Sequence, residues 1–324
     1  MNAQNPWSVY QQLLDQLPDS GQIEEVLIGL TWTLVRSQSS TGLAMSPGIM
    51  TRVLPWSGTL VGRRQKQLAT WVKSWNQHEA AIGMATINAA INSNNPLAES
   101  ATPLFPQSSA NLAVFEHFKP QLIGKRVVVI GRYPGMEKLL KEEFELTILE
   151  RNPTAEDLPD PAAEFVLREA DWVFLSATTL INKTFPRLAE LSSNAKVVLM
   201  GPTTPWLETF KDYGIDYLAG VQTQHSNRLW QTVREGGGTR IFETGVRYAI
   251  ADLQCDQMTR LKGAIGSVYR RREVLKKEME EWYQQQTGSY PGKPLLLQLD
   301  QQLSTLDSRY KQGWDAINCL ETSD

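Results

Sequence analysis

Cysteine and histidine are scarce in this chain. Its 324 residues hold two cysteines, Cys255 and Cys319, and three histidines, His78, His117 and His225, far apart from one another. Two cysteines, both in the last quarter, argue against a disulfide framework and point to a reducing, cytoplasmic setting. There is no CxxC, HxxxH or HExxH, so the sequence shows no preformed soft-metal site, and no metal ligand is assigned among its residues. A metal ion would have to arrive on a chelating ligand or be held by oxygens. Long apolar runs are also missing. Nothing approaches the roughly 18–20 residues of a membrane span, and the opening MNAQNPWSVYQQLL has neither the basic flank nor the apolar core of a secretory signal. A net charge of −3 gives no reason to expect nucleic acid or an anionic membrane as partner. G-x-S-x-G and G-x-G-x-x-G are both absent, which removes the usual hydrolase elbow and the usual dinucleotide fingerprint.

What is present is ordinary for a water-exposed globular protein: 41% hydrophobic and 21% charged residues, with ten tryptophans. The length predicts two domains or slightly more. Pro6 opens a helix that carries Trp7, Tyr10, Leu13, Leu14 and Leu17 at helical spacing and ends at Pro18. Residues 24–36, EEVLIGLTWTLVR, read as one strand, and STGLAMSPG as its hairpin partner. Helical patterns follow, with Leu68, Trp71, Val72 and Trp75, then over about 78–92. Residues 1–95 therefore read as an α+β domain, and the proline-bearing 96–110 as a linker. Over 111–252, strand-like runs at 127–130, 146–149, 172–175, 197–200 and 216–219 alternate with helical patterns, which is the rhythm of a parallel, doubly wound sheet. RIFETGVRYAIA adds an edge strand. Residues 253–324 read as two long helices joined by TGSYPGKP, an antiparallel hairpin suited to oligomerisation or a partner protein.

RVVVIGRYPGMEKLLKEEFELTILER holds the densest signal. A strand ends at Gly131, a turn of Arg132, Tyr133, Pro134 and Gly135 follows, then helix, strand and Glu150. Glu150 lies 19 positions after Gly131, close to the roughly 20 that separate a dinucleotide turn from its ribose-binding carboxylate. The turn itself lacks the fingerprint. Either Glu150 takes ribose hydroxyls or it pairs with Arg151, and either Arg132 meets an anion or it is a solvated turn residue. Polar loops follow the later strands too: Thr178, Thr179, Asn182, Lys183 and Thr184 in SATTLINKTFP, and Gly201, Pro202, Thr203 and Thr204 in GPTTPW. Singly these are turn and cap residues. Together, at the carboxyl edge of one sheet, they outline a binding crevice. In the first domain Trp32 stands out, and so does Asn88, which caps a neighbouring strand or faces the interdomain cleft.

These segments resemble a family of uncharacterised bacterial and archaeal proteins described as "putative heavy-metal chelation" proteins. The resemblance rests on VLIGLTWTLV, GLAMSPG, GMATINAAIN, GKRVVVIGRYPGMEKL, LERNP, ADWVFLSATTLINKTFPRL, VVLMGPTTP, DYGIDYLAGV and REGGGT, and runs from about residue 8 to 250. It implies an α/β architecture in which a domain like the enolase N-terminal domain precedes a Rossmann-like domain, with a ligand cleft between them. It further implies a small, heterocyclic or metal-chelating ligand and a role in heavy-metal chelation, metal handling or metallocofactor supply. Asn88, Gly131, Arg132, Tyr133, Pro134, Glu150, Asn182, Lys183, Thr184, Gly201, Pro202 and Thr203 fall within matching motifs. The family's first turn carries a histidine and a phenylalanine where Arg132 and Tyr133 stand here, so no role of that histidine carries over. The hairpin beyond 255 lies outside the shared region. Two other readings remain open: an enzyme with an adenosine-containing cofactor, NAD or S-adenosylmethionine, and a scaffold acting through the hairpin.

Overall fold

The computed structural model describes residues 5–38, 40–92, 95–140, 144–285 and 288–321. It is a mixed α/β molecule, built from a three-stranded antiparallel sheet, an eight-stranded mainly parallel sheet and a C-terminal pair of helices.

The first unit departs from the expected two strands. EEVLIGLTWTLVR is not one strand but two, β1 (Ile23–Ile28) and β2 (Trp32–Ser37), and β3 (Ser40–Met45) completes a meander. Gly29 makes the break: its N–H donates to the Trp32 carbonyl at 3.0 Å, and a Cβ there would sit 2.7 Å from the Val233 side chain. The sequence hides this turn because apolar residues continue through it. Helix Gln77–Ile91, capped by the Asn76 side chain, lies on the meander. Its face is mostly alanine and other small residues, so the approach is close. A Cβ on Gly42 of β3 would meet the Ala85 carbonyl at 2.0 Å. The opposite face of the meander meets helix Ser226–Arg234, where the Trp230 indole N–H donates to Thr41 and the Arg36 guanidinium lies 4.6 Å over the Trp230 ring.

The large sheet has strands β4 (Thr102–Pro103), β5 (Arg126–Ile130), β6 (Glu145–Glu150), β7 (Leu158–Pro159), β8 (Trp172–Ser176), β9 (Lys196–Met200), β10 (Tyr217–Thr223) and β11 (Val246–Asp252). Their spatial order is β4-β11-β10-β9-β8-β5-β6-β7. The six strands from β10 across to β7 are parallel, whereas β11 pairs antiparallel with both β10 and β4. After the edge strand β4 the chain forms β5, moves outward through β6 and β7, then returns to the other side of β5 for β8, β9 and β10. The winding therefore reverses between β5 and β8, and open parallel sheets offer a crevice at such a point, outside the carboxyl ends of the strands.

Two further expectations change. RIFETGVRYAIA divides into a helical turn, Ile241–Thr244, and β11, which is not an edge strand because β4 covers it. Residues 96–110 hold a helical turn, Pro96–Ser100, and β4 itself, so the stretch read as a linker is partly built into the sheet. Helices Gln257–Gln285 and Lys293–Glu321 pack on each other through their own apolar cluster. The Ser267 hydroxyl donates to the Pro103 carbonyl at 2.8 Å and ties the first of them to β4. Among the described residues, no helix is long and apolar enough to cross a membrane.

Candidate functional site

A cleft of about 1160 Å³ opens at the reversal point between β5 and β8. One wall is the carboxyl edge of the large sheet: Gly131 to Pro134 after β5, Glu150 to Asn152 after β6, Ser176 to Thr184 after β8, and Gly201 to Thr203 after β9. The other is the first unit, through Thr31, Trp32 and residues 45–49. Gly238, Thr239, Phe242 and Tyr248 close one side.

Local chemistry explains why these residues turn inward. Gly131 has φ +97° and Gly201 φ +112°, conformations that glycine adopts without a Cβ clash. They let β5 and β9 stop sharply. A Cβ on Gly131 would lie 3.4 Å from the Ser176 side chain, so the two strand ends nearly touch. The Ser176 hydroxyl shares a 2.9 Å hydrogen bond with Thr178, and Thr179 donates to the Ser176 carbonyl at 2.6 Å. Asn182 accepts from the Thr184 amide at 3.1 Å and hydroxyl at 2.6 Å, which starts helix Phe185–Leu191.

Lys183 between them has φ +69°. A lysine in the left-handed region costs about 1–2 kcal/mol, and such strain persists where the surroundings enforce it. Its ammonium donates to the Ile181 carbonyl at 2.7 Å and lies 5.9 Å from the Tyr10 ring. Among the described residues it forms no ion pair. Burial pulls its pKa down to about 8, since desolvation penalises the charged form. Tyr133 shows the same cause with the opposite sign: burial pushes its phenol up to about 12, and Ser176 offsets part of this. Burial also raises Tyr248.

Arg132 and Glu150 line the cleft, yet both are engaged within the chain. The Arg132 guanidinium donates to both oxygens of Asp157, at 2.8 and 3.2 Å, to Thr154 at 3.0 Å, and to Glu137. Asp157 is buried, and its hydrogen bonds from Arg132 hold its carboxyl down at about 2. One Glu150 oxygen accepts the Arg132 amide at 2.9 Å. The other accepts the Arg151 amide at 2.8 Å and the Asn152 amide at 3.3 Å. Arg151 pairs with Asp160 at 3.1 Å rather than with Glu150. Glu150 thus staples the turns after β5 and β6, which speaks against its reservation for a ribose. Arg187, also at the cleft, is paired to Glu164 and Glu190. Lys183 is the cleft-lining cation that has no carboxylate partner among the described residues.

The structure therefore places Trp32, Gly131, Arg132, Tyr133, Pro134, Glu150, Thr178, Thr179, Asn182, Lys183, Thr184, Gly201, Pro202 and Thr203 along one cleft. Two expected residues lie behind it. Asn88 is buried and donates from its Nδ2 to the Leu43 carbonyl at 2.7 Å and the Thr203 carbonyl at 2.9 Å. It bonds the open edge of β3 within the strand rather than capping its end, and it pins the first unit to the GPTTP loop. Thr204 is buried one position past the wall. Thr203 completes the seam, since its Oγ1 accepts the Met45 amide at 3.0 Å. Trp32 reaches across as well: its indole N–H donates to the Gly238 carbonyl at 2.9 Å. Sequence reasoning missed Ser46, Asn111, Ser176, Thr239, Phe242 and Tyr248. Ser176 ends a strand and had the same signal as Thr178. The others come from segments whose approach to β5 only the fold reveals.

Apart from Lys183, Glu150 and the ion-paired Arg132, Arg151, Asp160, Glu164 and Arg187, the polar side chains around the cleft are hydroxyls and amides. Among the described residues, no three side chains of His, Cys, Asp or Glu are grouped to hold a metal ion.

A doubly wound sheet with a cleft at its reversal point, covered by a small α+β unit, defines a mixed α/β architecture. Comparison with known proteins identifies the family. Residues 113–252 match DUF364 and residues 10–91 match DUF4213, both described as "Putative heavy-metal chelation". A DUF364-family protein of unknown function from Desulfitobacterium hafniense DCB-2 is 32% identical in its crystal structure, with a TM-score of 0.67, covering 78% of this chain and 100% of that one. A second DUF364-family crystal structure, from Pyrococcus horikoshii, shares the fold at 22% identity and a TM-score of 0.63, covering 75% of this chain and 98% of that one. An uncharacterized protein of Methanocaldococcus jannaschii is 34% identical over 105 residues, which are 30% of this chain and 40% of that protein. This chain belongs to the DUF364 family. It spans well under two thirds of the Methanocaldococcus protein it matches.

Proposed function

We propose that this protein binds a small organic ligand, anionic and metal-chelating, in the cleft between the first unit and the large sheet. The observation that carries this reading is the cleft's donor set. Hydroxyls and amides surround an apolar interior that includes Trp32, Ile130, Leu149 and Phe242, together with one lysine free of carboxylate. Such a lining suits the body of a heterocycle and a single negative group. Among the described residues it groups no three His, Cys, Asp or Glu side chains around a bare metal ion, so a metal would enter already coordinated. The family's description agrees with that chemistry.

Lys183 is the residue that meets the negative group. Arg132 shapes the wall through Asp157 and Glu137 and holds the turn after β5. Nickel, cobalt and zinc complexes of a pyridine-dicarboxylate chelator, titrated by calorimetry, test this assignment. Lys183→Ala is expected to weaken binding by about 1.5–3 kcal/mol, the range for a hydrogen bond to a charged group. Arg132→Ala should lower both affinity and stability. Unchanged affinity in Lys183→Ala rejects the site. Tighter binding of the bare ions than of their complexes rejects the chelate.

A further inference from the structure

We infer that Lys183 captures a carbonyl-bearing ligand in the cleft as a reversible imine. The inference rests on the cleft being the ligand site and adds a covalent step to it. Four features of one side chain converge. Lys183 lines the cleft. Its backbone is held left-handed, at φ +69°, so its placement is enforced by the surrounding fold. Among the described residues no carboxylate pairs with its Nζ, which leans on the Ile181 carbonyl and the Tyr10 ring. A half-buried lysine beside a carbonyl and an aromatic ring, with no carboxylate to hold its charge, is in a setting that turns an ammonium into an amine nucleophile.

Burial lowers its pKa to about 8, so roughly a tenth of the amine is neutral at pH 7. The neutral nitrogen adds its lone pair to the carbonyl carbon, and the carbonyl π pair moves to oxygen. The nitrogen loses a proton and the oxygen gains one, which gives a carbinolamine. Loss of that hydroxyl as water, with the remaining nitrogen proton, forms the C=N bond. Amine and carbonyl become imine and water, with no change of oxidation state, and hydrolysis releases the ligand. The Ile181 carbonyl accepts a hydrogen bond from the amine and keeps it beside the cleft.

Pyridoxal 5′-phosphate is a suitable probe, being a heterocyclic, anionic and chelating aldehyde. The full-length protein is incubated with it at pH 7, reduced with borohydride, and mapped by peptide mass spectrometry. Lys183 should be labelled at least about tenfold more than any other lysine, as its larger neutral fraction requires. Lys183→Arg should lose that label and keep the wild-type melting curve. Labelling of Lys183 at the level of surface lysines overturns the inference. Calorimetry with pyridoxine 5′-phosphate, which lacks the carbonyl, separates the two ideas. If it binds the wild type while Lys183 stays unlabelled, the imine falls and the cleft reading stands. If it does not bind and Lys183 stays unlabelled, both fall. Selective labelling that survives in the presence of saturating pyridoxine 5′-phosphate places the reactive amine outside the ligand position and also rejects the imine.

Discussion

At the scale of single residues, the site owes its shape to polar groups that satisfy one another. Asp157 shows this most clearly. It is buried against the Arg132 guanidinium and accepts the Thr154 amide at 2.8 Å. Asp157→Asn should destabilise the protein by about 1–3 kcal/mol, because the buried side chain loses its charge-assisted hydrogen bonds from Arg132, and urea unfolding measures it. Its folded pKa of about 2 lies below its ordinary 3.8. The stabilisation is therefore present above about pH 4 and disappears as the pH falls through about 2. The gap between wild type and Asp157→Asn should close over that interval. A gap that stays constant with pH would mean that the charge of Asp157 is irrelevant. In sequence, Asp157 is one acid among several in AEDLPD, and nothing there pairs it with Arg132. Arg132 was legible as a cleft residue. Its engagement by Asp157 and Glu137 was not, because that depends on where the loop after β6 lies.

At the scale of elements, helix and sheet meet through residues chosen for smallness. Gly42 on β3 lies against the backbone of helix Gln77–Ile91 at Ala85 and Ala89. Gly42→Ala has no room for its methyl. It should cost about 1–3 kcal/mol or more as the helix is pushed outward, lowering the urea midpoint. Because Asn88 on that helix holds Thr203, ligand affinity should fall with it. A variant as stable as wild type would show that the helix can shift freely. The alternation of strands β5, β6, β8 and β9 with helices was legible because buried parallel strands are short apolar runs bounded by turns. The Gly29 turn was not, because apolar residues run through it. Nor was the place of β11, since strand order depends on pairing partners distant in the chain.

At the scale of the whole molecule, the units share their interior. Leu34 and Leu43 of the meander belong to the apolar cluster that holds Val127 and Phe174 of the large sheet, while Val35 and Ala44 join the cluster with Val173 and Leu199. The C-terminal helices instead hold a cluster of their own, and they lie beyond the family-matched residues. Removing residues 256–324 should therefore leave a cooperatively folding protein with an unchanged cleft. Its melting temperature should drop by several degrees, because β4 and Phe105 lose their cover. Circular dichroism and dye binding follow this. The hairpin exposes Tyr269, Val274, Tyr283, Leu297 and Trp314, an apolar set suited to self-association or a partner. Light scattering should then show a higher state of association for the full chain than for the shortened one. Equal states of association would remove that role.

The sequence by itself determined the class of fold, the succession of units and most of the cleft's sheet-side wall. Local rules produce these: period-two and period-3.6 patterns, glycine where a strand must turn sharply, and hydroxyls at strand ends. Only the tertiary structure decided which cations are spoken for, that Glu150 staples two turns, and that Asn88 faces the seam rather than the cleft. It also left Lys183 half-buried at the cleft with no carboxylate partner among the described residues. Burial and charge pairing depend on groups brought together from distant parts of the chain, and no local pattern encodes that proximity.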